Sequence, residues 1–182
     1  RRLLETRNKD PLTGCYTRQH LQVFEEAAEP SACWAAIVID IDHFQRNTDS
    51  LDHRAGEQAI IGTARMLEGM VRNDDSVVRL GADEFVILLR RCDQATLESF
   101  VGRLQRLRDN QVGVPFTFGL AMRKDGENLA DTIHRADRQL IERRVIECSS
   151  IRVGNPREAR LLAHRRLPSA RLPEPAAAEG EI

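Results

Sequence analysis

Asp40 and Asp42 stand at the end of a long apolar run, and Asp83 and Glu84 stand together in a short interval between two further apolar runs. Acids emerging from the ends of neighbouring strands make a hard-oxygen site, the surroundings Mg²⁺ prefers when it keeps some water and bridges to phosphate. Metal-assisted phosphoryl transfer is the chemistry such a site supports. The plainer alternative is that each acid only terminates a strand in solvent.

The elements that must position these acids follow from run lengths and periods. Cys33 to Ile39 is continuous and partly β-branched, which predicts a central strand buried on both faces and stopping at Asp40. Val77–Leu80 and Phe85–Leu89 predict two short strands joined through Gly81-Ala82-Asp83-Glu84 as a hairpin. Thr17 is placed to N-cap a helix running to Ala27, with Leu21, Val23 and Phe24 inward. From Gly56 to Arg72 the residues Ala59, Ile60, Thr63, Leu67, Met70 and Val71 recur at helical spacing. Leu97, Val101, Leu104 and Leu107 do the same between Ala95 and Arg108, as do Ile133, Ala136, Leu140 and Ile141 between Leu129 and Glu147. Val112 to Leu120 predicts another strand, which Pro115 moves to an edge or a bulge. The fold class is therefore α+β, a mixed or mainly antiparallel sheet with helices packed over it.

The 182 residues, 41% of them apolar, supply one sizeable core. Lys and Arg total 27 against 28 for Asp and Glu, a net charge of −1 that excludes a nucleic-acid protein built on a general basic surface. Cys15, Cys33, Cys92 and Cys148 are scattered without a C-x-x-C pair, so reduced thiols in a cytoplasmic setting are expected rather than a disulfide scaffold or zinc knuckle. The longest apolar run, Ala32 to Ile39, is far shorter than the roughly 20 residues that cross a bilayer, and no membrane partner is expected for this fragment. Residues 1–9 read as the end of an upstream helix or linker. After Pro156 the chain turns to Arg, Ala, Pro and Glu, and residues 155–182 are expected to be a disordered tail.

Asp10-Pro11-Leu12-Thr13-Gly14, then Asp40-Ile41-Asp42-His43-Phe44 and Asp49, then His53 and Gly56, and then Arg79-Leu80-Gly81-Ala82-Asp83-Glu84-Phe85 resemble the ordered landmarks of the GGDEF family. These are diguanylate cyclases, which condense two GTP into cyclic di-GMP, and the resemblance runs from about Asp10 through residue 146 of a domain expected to span 10–154. It implies a nucleotidyl-cyclase, palm-like sheet. It also implies that Asp40, the carbonyl of Ile41 and Asp83 ligate Mg²⁺ when GTP is bound, with Glu84 beside the reacting phosphate and Asp83 and Glu84 as the catalytic acids. In the family each domain holds one GTP, and two domains face each other so that each 3′-hydroxyl attacks the partner's α-phosphate. Synthesis therefore requires a homodimer, and catalysis is mostly positioning and charge neutralisation.

Several matched positions depart from the family pattern. Ala82 replaces the second glycine of the signature, where a Cβ is expected to crowd a backbone approaching phosphate and to strain a left-handed turn. Thr48 stands where the family reads guanine with Asn, and one hydroxyl does not present both an amide donor and a carbonyl acceptor. Glu57 stands for an Asp and displaces its oxygens by one methylene. Arg144 replaces a phosphate-binding Lys and keeps its charge. Cys148 falls where a second basic residue belongs, with Arg143 as a substitute only after a register shift, and Gln45 replaces a Lys. The metal carboxylates remain while substrate contacts erode.

Arg72-Asn73-Asp74-Asp75 resembles the family's R-x-x-D inhibitory motif, at the offset from Gly81 that the family requires. The resemblance implies that Arg72 grips guanine and phosphate, Asp75 accepts a guanine N–H, and Arg103 adds a third contact, clamping a stacked dimer of cyclic di-GMP. The simpler alternative is that Arg72 neutralises a helix C-terminus and Asp75 starts a turn. Three functions follow in order: a degenerate domain that senses cyclic di-GMP, an active and product-inhibited cyclase, and a docking or dimerisation module that binds neither nucleotide. His20, His134 and His164 belong to no constellation, and Trp34 is expected to pack.

Overall fold

The computed structural model describes residues 8–29, 32–42, 53–110 and 112–151. Among them the elements run β1 (Tyr16–Thr17), α1 (His20–Glu26), β2 (Trp34–Ile41), α2 (His53–Glu68), β3 (Ser76–Arg79), β4 (Glu84–Arg90), α3 (Gln94–Asp109), β5 (Phe116–Met122) and α4 (Leu129–Ile151). The chain divides after Arg144 into two units, and of the second only the last turns of α4, up to Ile151, are described.

All eight residues of β2 are buried, as a run without polar alternation requires. It lies inside a five-stranded sheet of order β1-β3-β4-β2-β5, in which β1 and β3 are parallel and the other pairs antiparallel. This is the expected α+β architecture. On one face Ile37, Ile39, Phe85, Ile87 and Phe118 pack with Ile60, Ala64 and Leu67 of α2 and Leu97, Phe100 and Leu104 of α3. On the other, Val38, Val86 and Leu88 pack with Leu21 and Phe24 of α1 and Leu129, Ala136 and Leu140 of α4. Trp34 packs as expected, edge-on to Phe24 at 5.6 Å.

Helix ends are set by local donors and acceptors. Asp93 accepts from the Thr96 N–H at 2.8 Å and opens α3, and Asn128 does the same for Asp131 before α4. Glu25 reaches across from α1 to accept the Leu129 N–H at 3.0 Å. The fit of α4 on β5 is decided at Gly119, where a Cβ would lie 2.0 Å from the Ala136 carbonyl oxygen and 2.4 Å from the Leu140 nitrogen.

Five expectations are corrected. Thr17 does not cap α1: it belongs to β1, its buried hydroxyl finds no hydrogen-bond partner among the described residues, and the helix begins at His20. Val23 is 46% exposed rather than inward. The periodicity that carried α2 to Arg72 overruns its end, since the Met70 N–H bonds the Leu67 carbonyl in a turn and Met70 and Val71 reach the core from outside the helix. The last strand starts at Phe116, just after Pro115, and lies at the sheet edge. Ala82 carries no left-handed strain, because among the described residues the one non-glycine at positive φ is Arg91, at 45°. The expected tail lies outside the described residues.

His20 stacks on Tyr16 at 3.7 Å and its Nε2 lies 2.9 Å from the Ser76 hydroxyl. Burial, reinforced by Lys9 and Arg90, pulls its imidazole down to about 4 from 6.5. The unfolded chain then binds the extra proton first, so this group's contribution to stability is complete above pH 6.5 and is lost as pH falls through 4. Chemical denaturation across that range should show a steeper acid loss for the native chain than for His20→Phe, which keeps the stacking and removes the titration.

Cys15 and Cys92 are buried, and burial pushes each thiol up to about 11. Cys33 is exposed.

Candidate functional site

The sheet register brings the predicted acids together. Asp40 and Glu84 are direct partners across β2 and β4, and the Ile41 N–H donates to the Asp83 carbonyl at 3.0 Å. Asp40 is 4% exposed, although it sits in the interior of a strand and not beyond its end.

The turn that carries Asp83 is tied down by one side chain. Arg79 donates from Nε to the Gly81 carbonyl, from Nη2 to the Ala82 carbonyl and from Nη1 to Asp10 Oδ1, each at 3.0 Å. Asp10 also accepts the Thr13 N–H at 2.9 Å and the Thr13 hydroxyl at 2.7 Å. Burial raises the Asp10 carboxyl, but the Thr13 and Arg79 hydrogen bonds outweigh it and leave the group below its ordinary value. The Asp10–Gly14 segment and the hairpin turn are thus one hydrogen-bonded unit.

Arg144, from α4, faces the acids. Its Nη2 lies 2.6 Å from Asp40 Oδ1 and its Nη1 donates to Asp40 Oδ2 at 3.0 Å. Nη2 also reaches Asp42 Oδ1 at 3.3 Å, which accepts the Thr117 hydroxyl at 2.8 Å. Burial lowers the Arg144 guanidinium, yet Asp40 and Asp42 outweigh it and hold the group above its ordinary value. Glu84 is raised, by burial first, then by Asp137, Asp40 and Asp83 against the opposing Arg18. Asp137 is raised by burial against His134 and Arg144.

Asp137 is the site residue that the sequence reading missed. It stands seven positions before Arg144 on α4, two turns away and so on the same stripe, and an acid on the stripe of Leu140 and Arg144 was the available signal. The hard oxygens of Asp40, Asp42, Asp83 and the Ile41 carbonyl are of the kind Mg²⁺ takes. Among the described residues, however, no three acidic, His or Cys side chains converge to hold an ion, and Arg144 engages Asp40 and Asp42. Glu57 is half-buried on α2. Thr48, His43, Gln45 and Asp49 lie outside the described residues, as do the side chains of His53 and Cys148. Arg143 donates to the Phe118 carbonyl at 3.1 Å and stacks on that ring.

The second constellation is a cavity of about 300 Å³ at the far end of β4, lined by Arg72, Asp75, Arg90, Phe100 and Arg103 among others. Arg72 does not sit on a helix C-terminus, since α2 ends at Glu68. Asp75 Oδ2 accepts the Arg72 N–H at 2.9 Å and Oδ1 the Arg90 N–H at 3.0 Å. Each carboxylate oxygen retains a second lone pair for a ligand. Arg103 lies over the Phe100 ring at 5.1 Å, with its side chain exposed.

No helix among the described residues is long and apolar enough to cross a membrane. The chain is 32% identical over 94 residues to the probable diguanylate cyclase DgcC of Escherichia coli, covering 49% of this chain and 25% of that protein. Its fold matches a sensory box/GGDEF family protein from Caulobacter crescentus with a TM-score of 0.64 and 30% identity, covering 74% of this chain and 96% of that one. The GGDEF domain of DgcB from Caulobacter crescentus, solved in complex with c-di-GMP, matches in fold with a TM-score of 0.64 at 24% identity, over 74% and 86% of the two chains. The family described as diguanylate cyclase, GGDEF domain, matches residues 7–145, and over that span, the greater part of its length, the chain belongs to the GGDEF family.

Proposed function

We propose that this domain binds cyclic di-GMP through Arg72, Asp75 and Arg103 in second-messenger signalling, and that it is weak or inactive as a cyclase. The observation that supports this reading is the gathering of those three residues around one cavity. A cyclic dinucleotide offers phosphates and guanine edges; two guanidiniums match the first bidentately, and a carboxylate accepts guanine N–H groups. The binding of c-di-GMP by the DgcB domain is consistent with it. Titration calorimetry should give saturable binding that Arg72→Ala weakens by about 10–100-fold, the range of one or two charge-assisted hydrogen bonds. Binding unchanged in Arg72→Ala would sink the proposal. Arg72 and Arg103 are the residues to vary, because Asp75 also holds two backbone N–H groups.

A second reading, an active diguanylate cyclase with product inhibition, is favoured by the retained Asp40, Asp83 and Glu84 and by the unstrained turn at Ala82. Asp40, Asp83 and the Ile41 carbonyl would hold Mg²⁺, which when bound neutralises charge on the triphosphate. Thr48 and Glu57 would meet the guanine, Arg144 the phosphates and Glu84 the reacting phosphate, with a homodimer presenting two GTP to each other. Incubation with Mg-GTP and chromatography separates the two readings. Cyclic di-GMP formed by Arg72→Ala protein favours the cyclase, and absence of product favours the sensor. Flat calorimetric traces for both nucleotides would leave a docking module. We place the domain in the cytoplasm, where reduced thiols persist.

A further inference from the structure

Arg144 is bound where a cation is wanted. Asp40 is buried, and both of its oxygens face the two terminal nitrogens of one guanidinium, which also reaches Asp42. A guanidinium is planar, remains charged at any working pH and fits a carboxylate as a fork. A divalent cation held by Asp40 would place a second positive charge on the same buried carboxylate. Two positive centres on one buried carboxylate repel strongly at low dielectric, so they exclude each other.

We propose that Arg144 is a built-in counter-ion that competes with a divalent cation for Asp40, and that the cation enters only as the guanidinium swings away. This rests on the reading that Asp40 and Asp83 form a cation site. A free cation strands the departing guanidinium, whereas a cation arriving with a polyphosphate supplies both parties: the ion takes Asp40 and the phosphate takes Arg144. Metal and phosphate therefore bind as a pair, each more tightly in the presence of the other.

The test reads metal binding rather than turnover, with Mn²⁺ as a paramagnetic stand-in for Mg²⁺ and its free fraction followed by electron paramagnetic resonance. Arg144→Gln removes the competing charge from Asp40, so Mn²⁺ should bind about tenfold or more tightly than to the native chain. Adding inorganic triphosphate should tighten Mn²⁺ binding to the native chain and do so less in the variant. Asp40→Asn should lose the site in both backgrounds. Equal or weaker Mn²⁺ binding by Arg144→Gln, with Asp40→Asn still abolishing it, overturns the competition and leaves the cation site standing. If neither the native chain nor Arg144→Gln binds Mn²⁺ through Asp40, the cation site itself is wrong. Should Arg144→Gln fail to fold without metal, Arg144→Lys keeps the charge and loses the fork. It should then bind Mn²⁺ about threefold more tightly than the native chain, and no gain overturns the proposal.

Discussion

Gly119→Ala is expected to cost about 4 kcal/mol or more of stability and to leave little native protein at 37 °C. The added carbon would sit 2.0 Å from the Ala136 carbonyl oxygen and 2.4 Å from the Leu140 nitrogen. Both are backbone atoms of α4, so no side-chain rotation relieves the clash. The helix must lift off β5, and with it go the buried contacts of Ala136 and Leu140 and the bond from the Leu120 N–H to Gln139 Oε1 at 2.8 Å. Because α4 also carries Asp137 and Arg144, any folded remainder would have displaced the counter-ion of Asp40. Urea unfolding measures the loss. A change under about 1 kcal/mol would mean that α4 does not seat on β5 at this glycine.

Arg79→Met is expected to destabilise by about 3 kcal/mol, since it keeps the apolar stem but strands a largely buried carboxylate and frees the turn. The side chains of Arg79 and Asp10 are 15% and 18% exposed, so water replaces the donor lost to Asp10 poorly, whereas it reaches the exposed Gly81 and Ala82 carbonyls. For a domain of this size that is a fall of about 10 °C in Tm. The defect should shrink in acid: Asp10, depressed in the fold, contributes its stability above its ordinary pKa of 3.8 and loses it as pH falls through the folded value. A thermal melt of Arg79→Met against the native chain at pH 7 and pH 3 checks both points. An equal gap at the two pH values would show that the Asp10 pair contributes nothing. Arg79→Lys, which delivers one point charge to three acceptors, should fall between.

What was legible in the sequence were the features set by long-range patterning. The unbroken run before Asp40 marked the central strand, the four-residue interval at Gly81–Glu84 marked the hairpin, and Pro115 marked an edge. A two-residue strand such as β1 has no period to read, and its pairing with β3 took Thr17 away from the helix it was expected to cap. The end of α2 was hidden because Met70 and Val71 continue the apolar spacing past Glu68 while packing from a turn. At the site, residue types announced the four acids, yet no local rule shows that an arginine 104 positions beyond Asp40 closes upon it. That pairing depends on the approach of α4 to β5, which Gly119 permits.

The unequal setting of the thiols has a practical use. Cys15 and Cys92, buried and raised to about 11, should resist maleimides at neutral pH, whereas Cys33 should react. With Cys148 changed to Ser, a fluorophore on Cys33 would sit next to Trp34 and share a cavity with Asp74 and Arg90, the latter also lining the Arg72 cavity. Its emission would then report the arrival of any ligand at that end of the sheet without any radiolabel or coupled assay.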